Sequence, residues 1–229
     1  MKYMILLLGI LSAFSCQSNQ DRLLKQMEAR KTINKNGLII SDSLLIQLEK
    51  EIGQLTEPFN REVWKYDEQG NEDHYFLKEG VFFNFIAEDR AHEIFKKYSD
   101  KIRATGNLIF LTEMDFDEEY NTYYDIVIIN CKDQFQLVSL IGTDGVNYDI
   151  YNTDIVKKLK EWGSEIDLTL EVVDVDRVQG YFKHLPSPPI KFTREVYAFC
   201  PDVIEQGYGD MEQMVSDYKA NKYLWLWWD

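Results

Sequence analysis

Apolar positions recur at helical spacing in some stretches of the chain and alternate or run together in others, and this division sets the expected elements. Leu44, Leu45, Leu48 and Ile52 follow Ser41-Asp42-Ser43, which predicts a short helix behind a serine N-cap. Over residues 62–86 the pattern turns aromatic and β-branched, broken by Asp67-Glu-Gln-Gly-Asn71 and Lys78-Glu-Gly80; two or three strands of an antiparallel meander are expected. Ala91, Ile94, Phe95, Tyr98 and Ile102 then share one face of an amphipathic helix over 88–102 that ends near Gly106. Strands follow at 108–112 and 123–130, the second apolar enough to be central.

In the C-terminal half the spacing predicts a short helix over 133–140 and a longer one over 153–162, capped by Asn152 or Thr153. A strand over 168–173 is followed by an expected helix over 174–185, stopped by Pro186-Ser-Pro-Pro189. Helices over 192–199 and 211–218 lead to a terminal strand, Tyr223-Leu-Trp-Leu-Trp-Trp228. The fold class is therefore α+β (mixed α/β): a single sheet with an antiparallel meander in the N-terminal half, flanked by helices.

The first residues change the picture from fold to address. Lys2, the apolar run Met4-Ile-Leu-Leu-Leu-Gly-Ile-Leu11 and the small-residue stretch Ser12-Ala-Phe-Ser15 lead to Cys16. This arrangement resembles a bacterial lipoprotein signal, with Ala13 and Phe14 departing from its commonest form. It implies that residues 1–15 are removed and that Cys16 carries acyl chains, a membrane anchor. An ordinary signal peptide or a short transmembrane anchor are the alternatives; a spanning helix needs about 20 apolar residues, more than this run supplies. Residues 16–36 read as a polar tether that includes a helix over 22–30, and residues 37–229 as one α/β domain. Gln17 provides no inner-membrane retention signal, so the outer membrane is the expected destination.

The chain of 229 residues carries a formal net charge of −14. That excess repels phosphate backbones, which excludes nucleic acid as a partner and suits a basic protein partner. Beyond Cys16, the cysteines Cys131 and Cys200 lie in apolar contexts and are expected as free buried thiols, a disulfide between them being the alternative. The loop Asp115-Phe-Asp-Glu-Glu-Tyr-Asn121 alternates oxygen ligands but lacks the glycine of a calcium loop and has Ile126 where a bidentate Glu belongs; a solvated acidic hairpin loop is expected. No phosphate loop, zinc-type cluster, nucleophile elbow or dinucleotide fingerprint occurs, and no cofactor is expected.

Three ordered motifs stand in the last part of the chain: Leu140-Ile-Gly-Thr-Asp-Gly-Val-Asn-Tyr-Asp149, Glu195-Val-Tyr-Ala-Phe-Cys-Pro-Asp202 with Gln206-Gly207, and the closing Tyr223-Leu-Trp-Leu-Trp-Trp-Asp229. Together they resemble the bacterial domain of unknown function four-two-five-three over residues 135–229. The resemblance implies a small α/β domain ending in the Trp-Trp-Asp strand, and no established reaction.

Read for chemistry, Thr143-Asp-Gly145 is a turn signature, and Cys200-Pro-Asp202 breaks a helix. Asp144, Asp149, Asp202 and Asp229 could then line one acidic pocket with Asn147, Cys200, Gln206, Trp227 and Trp228. Such a pocket could hold a divalent cation through the four aspartates or poise one carboxyl with a raised pKa. The alternative is that each aspartate caps a turn and the tryptophans fill the core. His74 is expected on a strand surface, His92 on a polar helix face and His184 before the proline-rich loop, none at a spacing that would make Cys200 a nucleophile. Two functions compete: a lipid-anchored binding module, one version being an immunity protein that neutralises a basic toxin, and a carboxylate-based hydrolase with or without a divalent cation.

Overall fold

The computed structural model describes residue 25 and residues 35–67 and 71–229. The signal, Cys16 and turn residues 68–70 lie outside the described residues, as does all but residue 25 of the helix expected over 22–30. Helix α1 (Asp42–Ile52) begins at Ser41, whose hydroxyl accepts from the Leu44 N–H at 3.3 Å. Gly53, at φ 79°, closes it in the left-handed conformation that glycine adopts without strain.

Seven strands form the main sheet: β1 (Glu57–Pro58), β4 (Val81–Ala87), β5 (Leu108–Phe116), β6 (Thr122–Ile129), β7 (Leu168–Val173), β8 (Arg177–Phe182) and β9 (Tyr223–Trp227). Their spatial order is β1-β4-β6-β5-β7-β8-β9, with every neighbouring pair antiparallel except β5 and β7. The remaining two strands, β2 (Arg61–Tyr66) and β3 (Glu72–Leu77), pair only with each other. The class is α+β as the pattern predicts. The meander does not run as one sheet, however: β2 and β3 fold as a separate ribbon, and β4 pairs with β6. The ribbon buries Val63 and Leu77 against the core. It is pinned by Arg61, whose Nη2 lies 2.6 Å from Asp174 Oδ1 and whose Nη1 donates to Thr112 Oγ1 at 2.7 Å.

Each face of the main sheet carries its own core. On one, α1 and α2 (Glu88–Arg103) cover β4, β6 and β5; α2 buries Ala91, Ile94, Phe95, Tyr98 and Ile102, the five positions of the predicted stripe, against Ile109, Leu111, Ile126 and Ile128. On the other face lie α3 (Gln134–Ile141), α4 (Asn152–Ile166), α5 (Pro189–Phe199) and α6 (Met211–Asn221), which pack Leu137, Leu159, Val196 and Tyr218 over Phe110, Leu170, Val178 and Leu226. Helix α4 starts one residue before the expected position and is not capped by Asn152 or Thr153. Asn152 is buried and its Nδ2 donates to the Val138 and Thr143 carbonyls, while Asp154 accepts the Tyr151 N–H at 3.1 Å. Cys131 and Cys200 are free and buried. Asp117 closes its loop by accepting both Asn121 N–H groups and the Glu119 N–H, each at 2.9 Å, which holds its carboxyl at about 2.

The helix expected over 174–185 is strand β8. Val178 and Phe182 are buried on the core side, and Arg177 and Gln179 project to the opposite face, so the operative period is two. Gly180 completes the inward row between Leu170 and Leu224, where a Cβ would collide with the Thr169 carbonyl oxygen and lie 2.9 Å from Leu170 Cα. Backbone therefore approaches where a side chain would normally stand, which only glycine permits. Gly180→Ala is expected to destabilise the protein by about 1–3 kcal/mol, the usual range for overpacking. Urea unfolding of the two proteins checks this, and an unchanged midpoint would refute it.

Candidate functional site

Helices α1 and α2 cover only part of their face of the sheet. Alternation on β8 and β9 sends Val178, Leu224 and Leu226 into the covered core, and Arg177, Gln179, Tyr223, Trp225 and Trp227 to the side where no helix lies over them. Between these side chains and α2 runs a groove of about 730 Å³, within the size range of small-ligand sites. Trp225 and Trp227, two residues apart on one strand face, stack with centroids 6.2 Å apart and planes 13° apart. Tyr208, on the π-helical turn Val203–Tyr208, packs edge-on against Trp225 at 6.1 Å, and Gly207 lies so close to that ring that a Cβ would overlap it. Met114, Phe116 and Tyr124 form the opposite wall, with Glu88, Asp176 and Asp229 as carboxylates along the groove.

One end of the groove is polar. Glu171 on β7 is fully buried, and its Oε1 stands 2.9 Å from His92 Nδ1 on α2. Its Oε2 lies 3.0 Å from the Tyr223 hydroxyl, which is also 3.0 Å from Gln179 Oε1. The hydrogen bond with Glu171 raises the His92 pKa against the opposing effect of burial, so imidazolium is favoured beside the buried carboxylate. Burial raises the Tyr223 hydroxyl far above its ordinary value and keeps it neutral. His92 is thus not a plain surface residue of a polar helix face. His74 does lie exposed on β3, stacked on Trp64 at 4.8 Å, and His184 is exposed.

The three sequence motifs meet at the end of β9, mostly behind the groove. Asp202, 1% exposed, accepts from the Tyr148 hydroxyl, from Gln206 Nε2 at 3.0 Å and from the Asp229 N–H at 2.9 Å. Burial opposes its charge, but the donors from Tyr148, Asp229 and Gln206 together hold its carboxyl below the ordinary range. Asn147 Nδ2 donates to the Asp229 carbonyl at 2.8 Å. The Cys200 thiol donates to the Trp227 carbonyl at 2.9 Å and its sulfur accepts the Trp227 N–H at 3.3 Å. Trp228 is in the core, its Nε1 donating to the Phe199 carbonyl at 3.3 Å and its ring filling the space a Gly145 Cβ would need.

Asp144 and Asp149 take no part in that junction. Burial pushes the Asp144 carboxyl up to about 6, while Asp149 is exposed in the left-handed conformation at φ 55°. Among the described residues no group of three or more His, Cys, Asp or Glu side chains is placed to hold a metal. The four-aspartate cation set is therefore not assembled, because Asp202 is consumed by donors while Asp149 and Asp229 face solvent. Cys200 is enclosed, with burial driving its thiol up to about 12, unlike the lowered pKa of a nucleophilic cysteine.

Residues 125–229 match the family described as a domain of unknown function (DUF4253). A little under half of the chain is thus similar to DUF4253. The match begins within β6, upstream of residue 135, where the motifs' resemblance starts. No match was found among curated proteins or among solved structures. The matched region contributes the junction around Asp202 and the floor of the groove, and the wall formed by Glu88, Met114, Phe116 and Tyr124 comes from the preceding part of the chain. Of the groove residues, Trp227 and Asp229 are legible in the sequence motifs, whereas Arg177, Gln179, Trp225 and the adjoining Glu171 are not. The alternation in Arg177-Val-Gln-Gly-Tyr-Phe182 is the available signal for Arg177 and Gln179.

Asp202 sets a pH dependence. Its folded pKa lies below the ordinary value of about 4, so its contribution is complete above that pH and is lost as pH falls through the lower folded value. Asp125 and Asp144, each raised to about 6 by burial, act with the opposite sign and add stability as pH falls from about 7 to 4. Maximal resistance to urea is therefore expected between roughly pH 4 and 6. Asp202→Asn should cost about 1–3 kcal/mol at pH 7, through donors left without a charged acceptor, and should flatten the loss below pH 4. A variant that loses stability in acid as steeply as the parent would refute this assignment.

Proposed function

We propose that the protein is a lipid-anchored binding module of the cell envelope, tethered to the outer membrane through Cys16, and that the groove over β8 and β9 is its recognition surface. The observation that carries this reading is the aromatic floor of Tyr223, Trp225 and Trp227 left uncovered beside the carboxylates Glu88, Asp176 and Asp229. Aromatic side chains offer large contact area at little entropic cost, and surrounding carboxylates favour a positively charged partner. The net charge of −14 acts in the same direction at longer range, so a basic protein is the partner class we favour. An immunity-type role, in which that partner is a basic toxin, is one form of this reading. No helix among the described residues is long and apolar enough to cross a membrane, and attachment by acyl chains on Cys16 requires none.

The carboxylate hydrolase has less support. Its aspartates serve different ends: Asp202 takes three donors from the surrounding backbone and side chains, and Asp149 and Asp229 are exposed.

Two measurements test the proposal. Radiolabelled or azide-bearing fatty acid should be incorporated by the full chain in a bacterial host and not by Cys16→Ser; labelling of both would remove the anchor. A photo-crosslinking residue at Phe116, half exposed at the groove, should give a discrete product in the envelope fraction that Trp225→Ala abolishes. The same group at Ile39, exposed elsewhere, should give none. Equal labelling from both positions would overturn the groove as the recognition surface.

A further inference from the structure

Two arginines of this fold are largely buried, and they differ in what they meet. Arg61 takes Asp174 Oδ1 at 2.6 Å, Thr112 Oγ1 at 2.7 Å and Glu113 Oε1 at 3.1 Å. Asp174 is saturated by this contact together with the Glu113 and Val175 N–H groups, each at 2.8 Å. Arg177, 9% exposed on the groove floor, has one side-chain hydrogen bond, Nη1 to Met114 Sδ at 3.1 Å. Among the described residues no carboxylate stands within 4.0 Å of its guanidinium; its charge acts on Asp176 from farther away, opposing the rise that burial gives that carboxyl. A thioether is a weak acceptor, and a guanidinium carries five donors in a planar fork. Removing such a charge from water without a paired anion is costly, so native structures normally supply one.

We infer that Arg177 is an anion-binding residue of the groove, and that the ligand carries a carboxylate attached to an apolar group. The fork matches a carboxylate in bidentate geometry, and the apolar group has Trp225 and Trp227 to lie upon. Glu88, Asp176 and Asp229 set the remaining constraint. They repel a ligand with further negative charge and favour one with a positive charge away from the carboxylate. A phosphate, with its higher charge, fits these surroundings less well than a carboxylate. The required chemistry is shared by an apolar amino acid or small organic acid and by the free carboxyl terminus of a basic polypeptide. This inference rests on the groove being the recognition surface.

The test uses tryptophan fluorescence of the full chain titrated with N-acetyl-phenylalanine and with the peptide Lys-Lys-Ala-Leu-Phe, each as free acid and as amide. The free acid should bind about tenfold to a hundredfold more tightly than the amide, the ratio expected for a charge-assisted bidentate contact. Arg177→Met should abolish that preference and Arg177→Lys should reduce it. Tighter binding of the peptide acid assigns the site to chain termini, and equal or tighter binding of the small acid assigns it to free carboxylates. Equal affinity of acid and amide, or no binding of either, overturns the role of Arg177; the crosslink at Phe116 then judges the groove independently. Thermal unfolding supplies a second readout. Arg177→Met should melt at or above the parent temperature, because a largely buried guanidinium whose one side-chain hydrogen bond is to a thioether has been replaced by an apolar side chain, whereas a clear loss of stability would make Arg177 a structural residue and refute the inference.

Discussion

The end of β9 is held by a buried carboxylate, and the groove depends on that clamp. Asp202 draws in Tyr148 from the turn after α3, Gln206 from the π-helical turn and the backbone of Asp229. Each donor comes from one of the three motifs, so segments far apart in sequence are fixed by a single charge. An ionised group inside the protein tolerates little misplacement of its donors. The register of β9 follows. A slip of one residue would turn Leu226 outward and drive Trp227 inward, exchanging the faces of the whole strand.

With the register fixed, the main sheet is covered unequally. Four helices and the β2–β3 ribbon cover one face, while α1 and α2 cover only part of the other. The uncovered part is filled with tyrosine and tryptophan in place of aliphatic residues, side chains that remain compatible with water at one end while offering apolar area. Its polar atoms range from the close approach of Glu171 and His92 to the single sulfur contact of Arg177. Arg61 shows that this fold can give a buried guanidinium both carboxylate and hydroxyl partners. The contrast places the guanidinium without a close carboxylate in the groove and the paired one in the ribbon.

Much of the fold was legible because its elements obey local periodicities. The stripe of α2, the serine cap of α1, the strand at Leu168–Val173 and the terminal strand at Tyr223–Trp227 all follow from residues close in sequence. Strand β8 reads as a helix in sequence because Val178, Phe182 and Leu185 also satisfy a helical repeat, and Gly180 conceals the alternate inward row by contributing no side chain. The ribbon's separation from the main sheet is not legible because nothing local says whether a hairpin joins a sheet; Arg61 and Asp174, distant in the chain, pin it where it lies. The candidate site was legible only as a meeting of motifs. Aspartates in turn motifs signal junctions, and the groove is assembled by α2, β5, β6, β8 and β9 through pairings that no single window contains.

Strand β9 lies at the border of the sheet and reads Tyr-Leu-Trp-Leu-Trp, a composition that in extended form readily recruits further strands. At Trp227 the outward N–H and C=O are both taken by the sulfur of Cys200. A thiol from a helix end thus stands where the backbone of another chain would otherwise bind. Alongside it, Tyr208 packs against Trp225, covering more of the same border. The cysteine of the Phe-Cys-Pro-Asp motif is best understood as a stopper against intermolecular strand addition. The protein can display an aromatic sheet face to partners while its adjoining edge stays closed to polymerisation.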